Sequence, residues 1–303
     1  MPRSTAVLLA TVVTLLAAVA AVALTGAAGT APRSVGGRLQ VVAAENVYGN
    51  IASQIGGDRV RVVSLLHDPA ADPHLFSPGA SATLAIARAA VVIQNGAGYD
   101  PFMRPLEAAA PDSHRVVVTI ATALGADGPA ANPHLWYDLP RLDAIGAAIA
   151  SAMTRADPGH AHDYAAGLHT FVASLEPLRR AVASIRAGHR GAPVAYTEPV
   201  PGYLLAAAGL RVRTPFAFAK AVEDGIDPTP ASVAAMLGLV RRHDVRVLLY
   251  NSQAVSPVTG QIRAAAVAAG VPVVAVTETL PPGLSFQTWQ LRQVRALEQA
   301  LGR

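Results

Sequence analysis

The 303-residue sequence predicts an α/β protein of two lobes, each built on a parallel sheet, joined by one long rigid helix. Three observations lead there. Short β-branched runs alternate with helix-length segments through both halves of the chain. Those runs are continuously apolar rather than alternating, the pattern of strands buried on both faces of a parallel sheet. Between the halves, Gly159 to Ala187 holds few breakers other than Pro177, and Phe171, Leu175, Leu178 and Val182 keep helical spacing.

In chain order, Arg3 precedes an uncharged stretch from Ser4 to Pro32, with an apolar run from Ala6 to Leu24. This reads as a secretory signal, or as a retained anchor long enough to span a bilayer. Leu24-Thr25-Gly26-Ala27 has the outline of a bacterial lipoprotein signal, with Ala27 where the lipidated Cys belongs. Residues 1–37 are therefore expected to be a signal peptide or membrane anchor, with the body working outside the cytoplasm. A first lobe is expected over 38–158, with strands Leu39–Ala44, Val60–Leu66, Ala90–Asn95 and Val116–Thr119. Its helices are expected at Val47–Ile55, Ser81–Arg88, Pro101–Ala109 and Leu142–Arg155. The linking helix is assigned to 159–188; with no Gly/Ser-rich composition it is stiff. The second lobe, 189–303, has strands Val194–Thr197, Val245–Tyr250 and Val271–Val276, and helices Gly202–Ala208, Pro230–His243, Pro257–Ala269 and Phe286–Leu301. Both lobes read as Rossmann-like βαβ assemblies.

Composition narrows the function. Hydrophobic residues at 52% and charged ones at 15% supply a core and argue against disorder. The excess of four basic residues is scattered, with no basic stripe or aromatic platform for nucleic acid. The absence of cysteine removes disulfides, thiolate metal sites and cysteine nucleophiles.

Ligands of open α/β sheets bind outside the carboxyl ends of strands, so the chemistry is expected in the loops that follow strands. His67-Asp68-Pro69-Ala70-Ala71-Asp72-Pro73-His74-Leu75-Phe76-Ser77-Pro78 follows the second strand, stiffened by three prolines. Asn132-Pro133-His134-Leu135-Trp136 follows the fourth and repeats Pro-His-Leu-aromatic. Glu198-Pro199-Val200-Pro201-Gly202-Tyr203 and Thr277-Glu278-Thr279-Leu280-Pro281 follow strands of the second lobe. Rigid loops thus carry His74, His134, Glu198 and Glu278. Two imidazoles and two carboxylates make a closed, charge-neutral site for a divalent transition metal. Singly, each residue has a plainer role: a loop histidine faces solvent, a post-strand Glu favours a helix N-terminus, and Trp136 and Phe76 anchor a core. The combination at four strand ends carries the inference. His160, His162 and His169 are expected on the linking helix facing solvent, His114, His189 and His243 near element ends. His67 is an auxiliary candidate.

Asp72-Pro73-His74-Leu75-Phe76-Ser77-Pro78 and Asn132-Pro133-His134-Leu135-Trp136-Tyr137-Asp138-Leu139-Pro140 resemble the two histidine loops of the metal-binding solute-binding proteins of bacterial zinc/manganese ABC importers (cluster A-I, zinc-uptake type). Glu198, four residues before Gly202-Tyr203, matches the third ligand of manganese-type members, and Glu278 stands where the fourth, usually Asp, belongs. Asn132 replaces the first Asp of the second motif, an extra residue precedes Pro140, and the His-rich loop of many zinc members is missing. The resemblance spans Leu39 to Leu301. It implies a monomeric, extracytoplasmic, non-enzymatic carrier with metal between the lobes, delivering to a membrane permease with its cytoplasmic ATPase; the N-terminal segment offers membrane association. Zn²⁺ or Mn²⁺ is the expected cargo, zinc slightly favoured on affinity, and Fe²⁺ is compatible. The alternatives are a metal-dependent extracytoplasmic hydrolase and a metal-stabilised surface adhesin. Against the first, the chain has no Gly-x-Ser-x-Gly, His-Glu-x-x-His or phosphate-cradling loop.

Overall fold

The apolar runs assemble into two sheets of the same topology. The structure, a computed structural model, describes residues 34–69, 72–128 and 131–302; the signal or anchor reading, including Ala27, falls almost wholly outside them. In the first sheet β2 (Arg38–Glu45), β3 (Val60–Leu66), β4 (Val91–Gln94) and β5 (Val116–Thr119) lie in the order β3-β2-β4-β5, all parallel. A two-residue β1 (Ser34–Val35) runs antiparallel beside the start of β2. In the second sheet β6 (Pro193–Tyr196), β7 (Arg211–Val212), β8 (Val247–Asn251) and β9 (Val273–Val276) lie in the order β7-β6-β8-β9, again all parallel. Each order reverses direction once, between β2 and β4 and between β6 and β8. A crevice opens at such a switch point, outside the strand ends.

Burial on both faces holds for the inner strands: all five residues of β8 are buried. It fails at the edge strand β3, where Arg61 is exposed and Val63 is 40% exposed, because no neighbour covers that side. Every expected strand is present, with β4, β8 and β9 starting one or two residues later than their apolar runs. The two-residue β7 is too short to leave a periodic signal.

Helices α1 (Asn46–Gly56), α2 (Ala80–Arg88), α3 (Met103–Ala109), α4 (Ile120–Ala123) and α5 (Leu142–Ala156) belong to the first half. Helices α8 (Gly202–Ala207), α9 (Phe216–Glu223), α10 (Pro230–Arg241), α11 (Pro257–Ala268) and α12 (Phe286–Leu301) follow β6. Their starts are written in the sequence: Thr229, Ser256 and Ser285 cap α10, α11 and α12 by accepting a backbone N–H of the first turn. Pro230 sits where its missing N–H costs nothing.

The link is one long helix with a bend, α6 (Ala161–Ser174) running through Leu175 into α7 (Glu176–His189). Leu175 keeps helical angles (φ −77°, ψ −12°). Pro177 lacks the N–H that would bond back across the joint, which places the bend there. Leu175, Leu178, Val182 and Ile185 point into a core shared by both sheets. A Cβ on Gly167 would lie 2.0 Å from the Ile55 carbonyl oxygen, so only glycine lets α6 rest on the end of α1. His162 and His169 are exposed, as expected, and His160 pairs with Asp157 at 2.8 Å. Amides join α1 to the far end of the chain. Asn46 exchanges bonds with the Leu280 backbone (2.8 and 2.9 Å), Asn50 accepts from the Phe286 N–H (3.0 Å), and Gln54 pairs with Gln287 (2.8 and 3.1 Å). No described helix is long and apolar enough to cross a membrane.

Candidate metal centre

His74 and His134 come from matched loops. His74 sits within the 3₁₀ turn Pro73–Leu75 and His134 immediately precedes the 3₁₀ turn Leu135–Tyr137, beyond the ends of β3 and β5. Asp72 caps the first turn by accepting the His74 N–H at 2.9 Å. Asn132 Oδ1 accepts the His134 N–H at 3.0 Å. The backbone around His74 is open to solvent while its side chain is only 22% exposed. His134 is fully buried.

Glu198 follows β6 and Glu278 follows β9, both with fully buried side chains. The four residues meet across the lobes. His74 Nε2 lies 2.6 Å from Glu198 Oε1 and 3.9 Å from Glu278 Oε1. His134 Nε2 lies 3.1 Å from Glu278 Oε2. Asn251, at the end of β8, donates through its amide to Glu198 and to Glu278 Oε1 (2.7 Å), holding the two like charges side by side. The Tyr99 hydroxyl donates to Glu278 Oε2 at 2.8 Å. Gln253 Oε1 accepts from the N–H groups of Glu278 (2.6 Å) and Thr279 (3.1 Å), fixing where the fourth arm begins.

Asn132 orients His134 and ties it to the opposite lobe. Its Oδ1 faces His134 Nδ1 at 2.7 Å while its Nδ2 donates to the Pro199 carbonyl at 2.7 Å. The amide orientation set by Pro199 requires Nδ1 to carry a proton, which leaves Nε2 as the donor toward a metal. An Asp here could orient the ring but not donate to Pro199. A Cβ on Gly202 would meet Asn132 Nδ2 at 2.8 Å, so the Gly-Tyr pair makes room for this amide, and the Tyr203 hydroxyl donates to the Asn132 carbonyl at 2.9 Å. Trp136 is a core anchor that also walls the site, with its ring 5.4 Å from that of His134 and 4.8 Å from that of Tyr99.

Charge follows from this packing. Burial opposes a charge on His74, but the hydrogen bond and charge of Glu198, then the charges of Glu278 and Glu223, push its pKa up to about 9. The His134 pKa is also raised, burial being outweighed by Glu223, Glu278 and Glu198. Burial opposes the Glu278 charge too, yet both histidines and the Tyr99 hydroxyl hold its carboxyl below the usual range. Each histidine thus faces a carboxylate through Nε2, His74 toward Glu198 and His134 toward Glu278, and the surrounding carboxylates favour the protonated rings.

Sequence reasoning missed three contributors. Tyr99 lies in the loop after β4 and Asn251 at the end of β8; both stand at strand ends, but neither side chain is an ordinary metal ligand. Glu223 ends α9, after no predicted strand. A donor atom of Glu223 lies within 4.8 Å of donors of His134 and Glu198. Burial, with the charges of Glu198 and Glu278, raises its pKa against the pull of His134 and His74. His67 is not in the cluster: it is exposed, and its Nδ1 folds back to the carbonyls of Leu65 (3.0 Å) and Ser64 (3.1 Å).

Residues 41–300 match the family described as zinc-uptake complex component A periplasmic, ZnuA. The chain belongs to that family. It is 24% identical over 270 residues, 82% of this chain and 83% of the relative, to a protein of Treponema pallidum (strain Nichols) named for metal binding. It is 29% identical over 177 residues to the manganese-binding lipoprotein MntA of Bacillus subtilis (strain 168), covering 54% of this chain and 56% of the relative. Among solved structures, the SBP FpvC of Pseudomonas aeruginosa in complex with Mn²⁺ shares the fold at a TM-score of 0.74 and 22% identity, over 88% of this chain and 98% of that one. The chain is therefore a periplasmic-type metal-binding solute-binding protein of two lobes.

Proposed function

We propose that this protein captures one divalent transition-metal ion, Zn²⁺ or Mn²⁺, through His74, His134, Glu198 and Glu278, and delivers it to an ABC import permease driven by a cytoplasmic ATPase. The observation that carries this reading is the meeting of two imidazole nitrogens and two carboxylates in one buried cluster between lobes. Around a tetrahedral ion with bonds of roughly 2.1 Å, neighbouring donors stand about 3.4 Å apart. The pairs at 2.6 and 3.1 Å reach that spacing by side-chain movements of less than about 1 Å. The ion competes with protons for the two imidazole nitrogens and sets its positive charge beside the two buried carboxylates. The zinc-uptake family and the manganese-binding relative support both cargoes.

In this reading 38–158 and 189–303 are the lobes, 159–188 limits how far they move, and the apolar N-terminal stretch exports or anchors the protein. It is a monomeric carrier with no catalytic step. The test is elemental analysis of metal-free protein re-loaded with Zn²⁺ and Mn²⁺ in competition, alongside His74→Ala. One equivalent of metal, lost in the variant, is the expected result; no stoichiometric metal in the parent protein overturns the proposal.

A further inference from the structure

Glu223 has no place in the four-ligand site, yet it faces the same cluster. It is the last residue of α9, which reaches the site from the flank of the second sheet rather than from a strand end. The donor atoms form two overlapping triads, His74–Glu198–Glu278 and His134–Glu198–Glu223, with Glu198 in common. Two imidazoles and three carboxylates therefore converge. Glu223 lines a cavity of about 580 Å³ whose walls also include His74, Tyr99 and Asn132. Its Oε2 is buried without a hydrogen-bond partner among the described residues. Lys220, one turn earlier, is engaged with Asp224. A buried carboxylate oxygen left unpaired is costly, and an ion at the cluster would satisfy it.

We propose that Glu223 is a fifth protein donor to the captured ion, one that selects for ions accepting more than four, mostly oxygen, ligands. The inference rests on the capture reading above. Closed Zn²⁺ sites are complete with four ligands, whereas carboxylate-rich sets of higher coordination suit Mn²⁺. A third carboxylate adds little for the first ion and a bond for the second. It also occupies the position through which water would otherwise reach the metal.

The test compares metal-free parent protein with Glu223→Gln and Glu223→Ala, titrated separately with Mn²⁺ and Zn²⁺ against a competing chelator. The relaxation of bulk-water protons by the bound Mn²⁺ is measured in parallel. The expected result is a loss of Mn²⁺ affinity of about tenfold or more with Zn²⁺ changed by less than about threefold. Water relaxation per bound Mn²⁺ rises in Glu223→Ala as a coordination position opens. Equal weakening for both ions, or unchanged relaxation, overturns the fifth donor. Glu223→Gln keeps the side-chain shape, so its affinities carry the test should the alanine variant fold poorly. A parent protein that binds neither ion defeats the capture reading itself; a parent that binds, with variants that behave like it, defeats only the role of Glu223.

Discussion

The two lobes bring different chemistry to one site. The first supplies nitrogen, His74 within one 3₁₀ turn and His134 just before another, and braces the N–H of each with the Asx side chain two residues earlier. The second supplies oxygen, Glu198 and Glu278, held together by an amide from the strand between them. Each set has its own difficulty. The carboxylates are buried like charges that need cations; the imidazoles are buried bases that need anions to be charged. Only the meeting of the lobes resolves both, so the division of donors makes the closed arrangement stable before any ion arrives. The ion would bridge groups that already face one another across the lobes.

The largest effect that breaks this comparison is removal of the fully buried imidazole. His134→Ala strands the Glu278 carboxylate without its main cationic partner. Breaking a buried pair costs about 3–5 kcal/mol; denaturant unfolding of the metal-free protein should show a loss of that order for His134→Ala and a smaller one for His74→Ala, whose side chain is 22% exposed. Equal losses would mean that burial does not separate the two histidines. Next comes the brace in the carboxylate lobe. Asn251→Ala leaves all four donors in place but frees the carboxylates to turn apart, and metal affinity should fall by roughly 10–100-fold, the range of outer-sphere partners. A chelator competition giving parent-like affinity would show that the loops alone fix the pair.

The effect of pH follows. The His74 pKa, near ~6.5 when unfolded, is raised to about 9 in the fold. Its pairing with Glu198 therefore stabilises the metal-free protein fully below pH ~6.5 and is lost as pH climbs through 9. The melting temperature of metal-free protein should fall across that window while metal affinity rises, because the competing proton leaves. The sequence alone placed this proton competition near ~6.5; the carboxylates around His74 move it upward. A flat melting profile from pH 6.5 to 9 would contradict the pairing. The smallest effect is expected from Gly202→Ala, which presses on the far end of the Asn132 side chain at 2.8 Å. Affinity should drop by less than the ~10-fold lower bound for Asn251→Ala, measured in the same titration.

What could be read in the sequence follows from which signals are local. His74, His134, Glu198 and Glu278 were legible because each sits in a proline-marked loop after an apolar run, and strand ends of parallel sheets point to one edge. The brace at Asn251 was not, since the polar end of β8 reads like the start of any loop. Glu223 was hidden more deeply: α9 follows a two-residue strand, and only the tertiary fold swings its last turn toward Glu198. Pro177 was visible within the linking helix, but a proline in the first turn of a helix is compatible with a straight run or a bend. The packing of Leu175 and Leu178 on the shared core, on either side of the joint that Pro177 weakens, is a tertiary feature with no local signal. The matched topology of the sheets was legible as alternation of elements, though not as a strand order.

The clasp between α1 and the chain's end is made of Asn46, Asn50, Gln54 and Gln287, all neutral amides. Such groups neither titrate nor attract a counterion cloud, so dissolved salt does not weaken them as it weakens surface ion pairs. Outside the cytoplasm, acidity and ionic strength follow the surroundings. The protonation of the histidines changes with that medium, but the amide bonds between α1 and the chain's end do not.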